Sequence, residues 1–234
     1  MWQYQMRRGL RRWPAALAVF LFLNLAVLAQ SPPNLGELKQ KVTEYKRSGR
    51  YDRDVAAVLA KAQRFVQQRA PAVKKPAIVL DIDETSLLNW AEIQANDYGY
   101  VPDGPCDKLP AGPCGVRAWE LSSRAEVIAP TLALFKAARV LGVSVFFISG
   151  RPENERAATE ANLRSAGYDG WTAVVLRPPG PSPKSTADFK APERGKIAAQ
   201  GYTIIANVGD QPSDLAGGFA ERSFLVPDPF YRIP

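Results

Sequence analysis

The chain has 234 residues, 46% hydrophobic and 23% charged, values of a folded globular protein that exclude a disordered chain. Thirty basic residues against 23 acidic give +7; four arginines lie in residues 1–29, and without that stretch the balance is 26 to 23, or +3, too little for a nucleic-acid footprint. Histidine is absent, which excludes Ser-His-Asp hydrolases, histidine phosphatases and imidazole zinc sites, and leaves carboxylates, lysine, hydroxyls or a hard oxygen-bound metal to do any chemistry.

Residues 1–14 are basic through Arg7, Arg8, Arg11 and Arg12, and 15–29 are apolar apart from Asn24. Fifteen residues are short for a membrane span and suit a signal peptide cut after Ala29. The chain is therefore expected to be exported, to a periplasm or outside the cell, with membrane contact only through an uncleaved signal. Residues 30–234 then suit one domain with its own core. Within 30–75, Leu35, Leu38, Val42 and Tyr45, then Val55, Val58, Leu59, Ala62, Phe65 and Val66, fall at helical spacing. They predict two amphipathic helices, split near Ser48-Gly49 and stopped at Pro71.

After Pro76 short apolar runs begin, at 77–83, 143–149, 172–176, 202–208 and 223–226. Helical segments at 130–141, 153–166 and near 192–200 alternate with them. Continuous apolar strands alternating with helices predict an α/β fold, a parallel sheet covered on both faces. Two stretches break the alternation. Residues 84–129, with Trp90, Tyr98, Tyr100 and Trp119, read as a small cap-like insertion at the mouth of the sheet. Cys106 and Cys114 lie in it, and an exported chain would oxidise such a pair. The proline-rich residues 177–192 read as a long loop.

The unusual residues sit at strand ends, where open parallel sheets bind ligands. Asp81 and Asp83 end the first strand, Ser149-Gly150-Arg151 follows the second, and Asp210 and Asp214 follow the fourth; Lys190 lies in the stretch after the third. Several carboxylates on one rim repel each other unless a cation sits among them, and oxygen ligands without imidazole or thiolate point to Mg²⁺. One carboxylate could attack phosphorus while a second handles protons, with lysine, hydroxyl and backbone N–H groups holding phosphoryl oxygens.

These residues carry a resemblance. Asp81-Ile82-Asp83-Glu84-Thr85, Phe147-Ile148-Ser149-Gly150-Arg151, Phe189-Lys190-Ala191-Pro192 and Gly209-Asp210-Gln211-Pro212-Ser213-Asp214 resemble the four motifs of the haloacid dehalogenase-like phosphohydrolases. The wording is similar to the branch that holds the class B and class C acid phosphatases and the plant vegetative storage proteins. The resemblance implies a Rossmann-like sheet with N-terminal helices, and a Mg²⁺-dependent acid phosphatase acting on a small phosphomonoester through a phospho-aspartate. It implies Asp81 as nucleophile, Asp83 as general acid and base, and Ser149, Gly150 and Lys190 as phosphate-binding residues. Asp81, Asp83 through its backbone carbonyl, and Asp210 would hold the metal, with Asp214 assisting directly or through water. The four aromatic residues of the insertion either stack on a flat leaving group, such as a nucleoside, or pack the insertion. A non-catalytic storage or binding protein, or a phosphotransferase to an alcohol, are the alternatives on the same scaffold.

Overall fold

The computed structural model describes residues 32–181 and 183–233. The expected export signal at 1–29 lies outside them. The first described element is α1 (Leu35–Arg47), whose Asn34 side chain accepts from the Glu37 N–H, a standard way to satisfy a free amino-terminal donor. Gly49, with φ of 71°, makes the break before α2 (Arg50–Arg69), a left-handed angle that favours glycine. A single 3-10 turn at Ala70–Ala72 then carries Pro71 into β1 (Pro76–Leu80).

Between β1 and the next sheet strand come β2 (Leu87–Leu88), α3 (Trp90–Ala95), α4 (Val116–Leu121) and β3 (Glu126–Val127). β2 and β3 pair antiparallel and close the base of the insertion. Cys106 and Cys114 are disulfide-bonded within it. The side chain of Asn96 clips this loop to α3, accepting from Cys114 N–H at 2.8 Å and donating to its carbonyl at 2.7 Å.

The chain continues through α5 (Ala129–Val140), β4 (Ser144–Pro152), α6 (Arg156–Ser165), β5 (Ala173–Arg177), α7 (Thr186–Ala199), β6 (Thr203–Gly209), α8 (Pro212–Leu215) and β7 (Arg222–Leu225). The five long strands form one parallel sheet in the order β5-β4-β1-β6-β7. Alternate side chains of a strand point to opposite faces. Ile78 and Leu80 accordingly join the larger core, with Val55, Leu59 and Val66 of α2, Leu134 and Phe135 of α5, and Leu163 of α6. Ala77 and Val79 join a smaller core with Ile197 of α7.

One expectation is corrected. The loop after β5 does not run to Pro192. Helix α7 starts at Thr186, because Ser185 and Asp188 form a reciprocal capping box, and Pro192 sits inside it. A proline there removes one hydrogen bond, but the cap has already fixed the first turn. Lys190 therefore stands on a helix rather than in a loop.

Candidate active site

Sequence order along the sheet reverses between β1 and β6, the place where parallel sheets open a crevice at their carboxyl ends. Asp81 follows β1 and Asp210 follows β6. The Asp81 N–H donates to Val208 O at 2.9 Å, so the ladder itself fixes the acid. Asp214 is brought in by α8. Gly209 makes this approach possible, since a Cβ there would lie 2.5 Å from that of Asp214. The buried Arg194 of α7 donates to the carbonyls of Asp214, Ala216 and Gly218, and Asn207 also donates to Asp214 O. The turn that carries Asp214 is thus held from two sides.

Oxygens of Asp81, Asp210 and Asp214 all lie within 4.8 Å of one another, and all three residues are buried. Lys190 donates to Asp81 and, at 2.7 Å, to Asp214. Thr85 and Gln211 donate to Asp210 at 2.9 and 2.7 Å. Burial pushes Asp81 up to about 7, against the opposing pull of Lys190, with Asp214 and Asp83 adding repulsion. Burial, then the charges of Asp81 and Asp214, raise Asp210 well above its ordinary value. One ammonium does not balance three crowded acids. A hard divalent cation meets the need, and an all-oxygen donor set suits Mg²⁺.

Asp83 lies in a different setting. Arg151, at the end of β4, grips it bidentately, Nη2 to Oδ1 at 2.6 Å and Nε to Oδ2 at 3.1 Å. Asn89 donates to the same carboxylate at 2.9 Å and receives the Trp119 indole N–H at 2.8 Å. Burial alone would raise this acid; the charge and hydrogen bonds of Arg151, with Asn89, outweigh it and hold Asp83 below its ordinary value. Glu120 stands 3.7 Å from the same guanidinium. Burial, the Asp83 charge and a hydrogen bond with Glu155 push Glu120 up to about 9. Next to Asp83, Glu84 is fully buried, accepts from the Asn89 N–H and from the Tyr231 hydroxyl, and is pushed up to about 8 by burial and by Asp83 and Asp228.

Both halves open into one cavity of about 600 Å³ that also receives Ser149, Gly150 and Lys190. Ser149 is buried, and its hydroxyl accepts from the Arg151 N–H at 3.1 Å. Gly150 is exposed and its carbonyl accepts from Arg177. Asp81, Asp83, Ser149, Gly150, Lys190, Asp210 and Asp214 thus all reach the cavity. The side chain of Asp83 lies outside the acid triad. Arg151, Asn89, Glu84 and Tyr231 were missed. Arg151 and Glu84 stood inside quoted motifs, but nothing local in the sequence pairs Arg151 with Asp83, 68 positions away. Of the four aromatic residues, Tyr98, Tyr100 and Trp119 line the cavity. Trp90 packs instead on Tyr98 and Phe230.

Comparison with known proteins shows the family of the chain. The model of the HAD superfamily, subfamily IIIB (acid phosphatase), matches residues 24–234. The stem 28 kDa glycoprotein of Glycine max is 32% identical over 200 residues, 84% of this chain and 75% of that protein. Acid phosphatase 1 of Solanum lycopersicum is 32% identical over 158 residues, 66% of this chain and 58% of its own length. Among solved structures, the class C acid phosphatase from Bacillus anthracis superposes with a TM-score of 0.65 at 22% identity, over 83% of this chain and 86% of that one. At that identity the likeness speaks for the fold.

Proposed function

The chain belongs to subfamily IIIB of the HAD superfamily, the acid phosphatases, and from that premise we propose a Mg²⁺-dependent hydrolysis of phosphate monoesters through a phospho-Asp81 intermediate. The observation that carries this reading is the pair of acids two residues apart, one facing a lysine and two further acids, the other facing an arginine, across one cavity.

The Asp81 carboxylate attacks phosphorus, the bond to the alcohol oxygen breaks, and the alcohol departs with a proton. Water then attacks the acyl-phosphate, which frees inorganic phosphate and restores the carboxylate. Lys190, the Ser149 hydroxyl and the backbone around Gly150 hold phosphoryl oxygens. Asp81, Asp210 and Asp214, with the backbone carbonyl of Asp83, would hold Mg²⁺, whose charge keeps the acids ionised and offsets the charge of the phosphoryl group.

Asp83 supplies the proton and later takes one from water. Its pairing with Arg151 suits the second role as it stands. For the first, an incoming phosphate dianion competes for the guanidinium. A buried carboxyl that loses this partner is left with the desolvation that favours its neutral form. Substrate binding and proton supply are thereby linked through Arg151.

The aromatic lining, with Tyr100 79% exposed, supports flat leaving groups such as nucleosides. The basic and apolar segment at 1–29 supports export. Among the described residues no helix is long and apolar enough to cross a membrane. The test is a phosphomonoester panel with and without Mg²⁺, followed by acid quench and mass spectrometry of the peptide containing Asp81. Phosphate on Asp81 is expected; turnover with phosphate on another residue, or on none, overturns the nucleophile assignment.

A further inference from the structure

Cations fall into two groups along the cavity. Lys190 and Arg151 are buried and committed, the first to Asp81 and Asp214, the second to Asp83. Three others line the same cavity nearer solvent: Arg177 at the end of β5, Lys184 before α7, and Arg232 in the C-terminal tail. Among the described residues none of these three forms an ion pair.

Arg177 is placed by a side-chain contact and Arg232 by its neighbours in the chain. The half-buried Arg177 donates through Nε to Gly150 O at 3.2 Å, which keeps its terminal nitrogens free beside the residues proposed to hold phosphate. Arg232 follows Tyr231, whose hydroxyl is bound to Glu84, and precedes Ile233, whose N–H donates to the Gln211 side chain at 3.1 Å. The tail is therefore tied down on both sides of Arg232. Lys184 is next to Ser185 and Thr186, which open α7 on the same cavity wall. The positive end of a fourteen-residue helix adds to the same field.

The phosphoryl site proposed above has its own cations in Lys190 and Arg151. We infer that the outer three recognise a second anionic group, a carboxylate or another phosphate, carried on the leaving group of the substrate. This rests on the phosphatase reading and narrows its substrate class to phosphomonoesters that bear a further negative charge several ångströms from the scissile bond. A cavity of about 600 Å³ has room for such a molecule.

The experiment compares matched substrates at low salt. Glycerol 3-phosphate is set against 3-phosphoglycerate, and a nucleoside 5′-monophosphate against its 3′,5′-bisphosphate. The first pair reads a carboxylate and the second a phosphate. In at least one pair KM for the more charged member is expected to be about tenfold lower, the reach of a few solvent-exposed ion pairs acting together. The advantage should fade as salt approaches about 1 M, where screening acts within about 3 Å. Lys184→Gln combined with Arg232→Gln should abolish most of the preference while glycerol 3-phosphate turnover stays within about twofold of the parent; Lys184→Arg with Arg232→Lys should retain the preference. Equal KM values within both pairs, or a preference that survives the double glutamine variant, overturn the inference and leave the phosphatase reading intact. Activity on none of the four with Mg²⁺ present overturns the phosphatase reading, and the inference with it.

Discussion

Asp81 and Asp83 are the same residue type, two positions apart at the end of one strand, yet their surroundings drive them in opposite directions. Burial, with the charges of Asp214 and Asp83, pushes Asp81 up to about 7 in spite of Lys190. Asp83 is held low by a bidentate arginine. Burial acts on both in the same sense, so the neighbours decide. The difference teaches that the two halves of the cavity hold charge on different terms. The Asp83 carboxylate is compensated by the chain's own Arg151, whereas the acids around Asp81 outnumber the one lysine among them. The sharpest way to break the comparison is Asp81→Asn. That change removes the proposed nucleophile while keeping size and polarity, and turnover should fall by about 10⁴-fold or more. Near-normal kcat in this variant would assign the chemistry elsewhere.

Removing the partner of Asp83 tests the other half. Arg151→Gln strips the ion pair from a buried acid, so Asp83 should titrate at higher pH. Because Asp83 must be protonated for the first step, the basic limb of the kcat/KM profile should move upward, with activity down about 10²-fold. Arg151→Lys restores charge without the fork and should recover only part of the loss. A pH profile unchanged in Arg151→Gln would show that Asp83 does not set that limb.

How much of this was legible beforehand follows from the physics of each element. β1, β4 and β6 were plain because central parallel strands must be apolar on both faces. The acids that follow β1 and β6 were plain because nothing else in those two runs is charged. The start of α7 was hidden: Pro192 looks like a helix opening, while the true signal was the Ser185/Asp188 cap. The grip of Arg151 on Asp83 could not be read, since it joins residues 68 positions apart across two strand ends. Tyr231 reaches Glu84 across 147 positions, and no local pattern encodes such a pairing.

The comparison also predicts a pH dependence of stability. Asp81, Glu84 and Glu120 have folded values raised to about 7, 8 and 9 by burial and like charges. A carboxyl raised on folding binds more protons in the native than in the unfolded chain, so stability falls as pH rises through the window from about 4 to about 9. Asp83 is shifted downward, so its contribution changes only below about 4, outside that window. In EDTA the melting temperature should therefore be several degrees lower at pH 8 than at pH 5. Mg²⁺ held by the ionised Asp81, Asp210 and Asp214, as proposed, should recover much of the loss at pH 8. Melting that is insensitive to both pH and Mg²⁺ would contradict a cation-demanding inner half.

The smallest effect belongs to the tail that bounds the Asp83 half. Tyr231→Phe leaves ring packing in place and removes a hydroxyl bound to Glu84. Glu84 keeps the Asn89 N–H at 2.8 Å, so the acid is deprived of one donor rather than stranded. A cost of about 1–2 kcal/mol in denaturant unfolding is expected. Because Tyr231 lowers the Glu84 value and burial raises it, the variant should hold its proton more tightly there. At pH 5, where Glu84 is already protonated, the penalty should shrink; at pH 9 it should be largest. A penalty equal at both ends would mean that the hydroxyl serves packing and not the charge of Glu84.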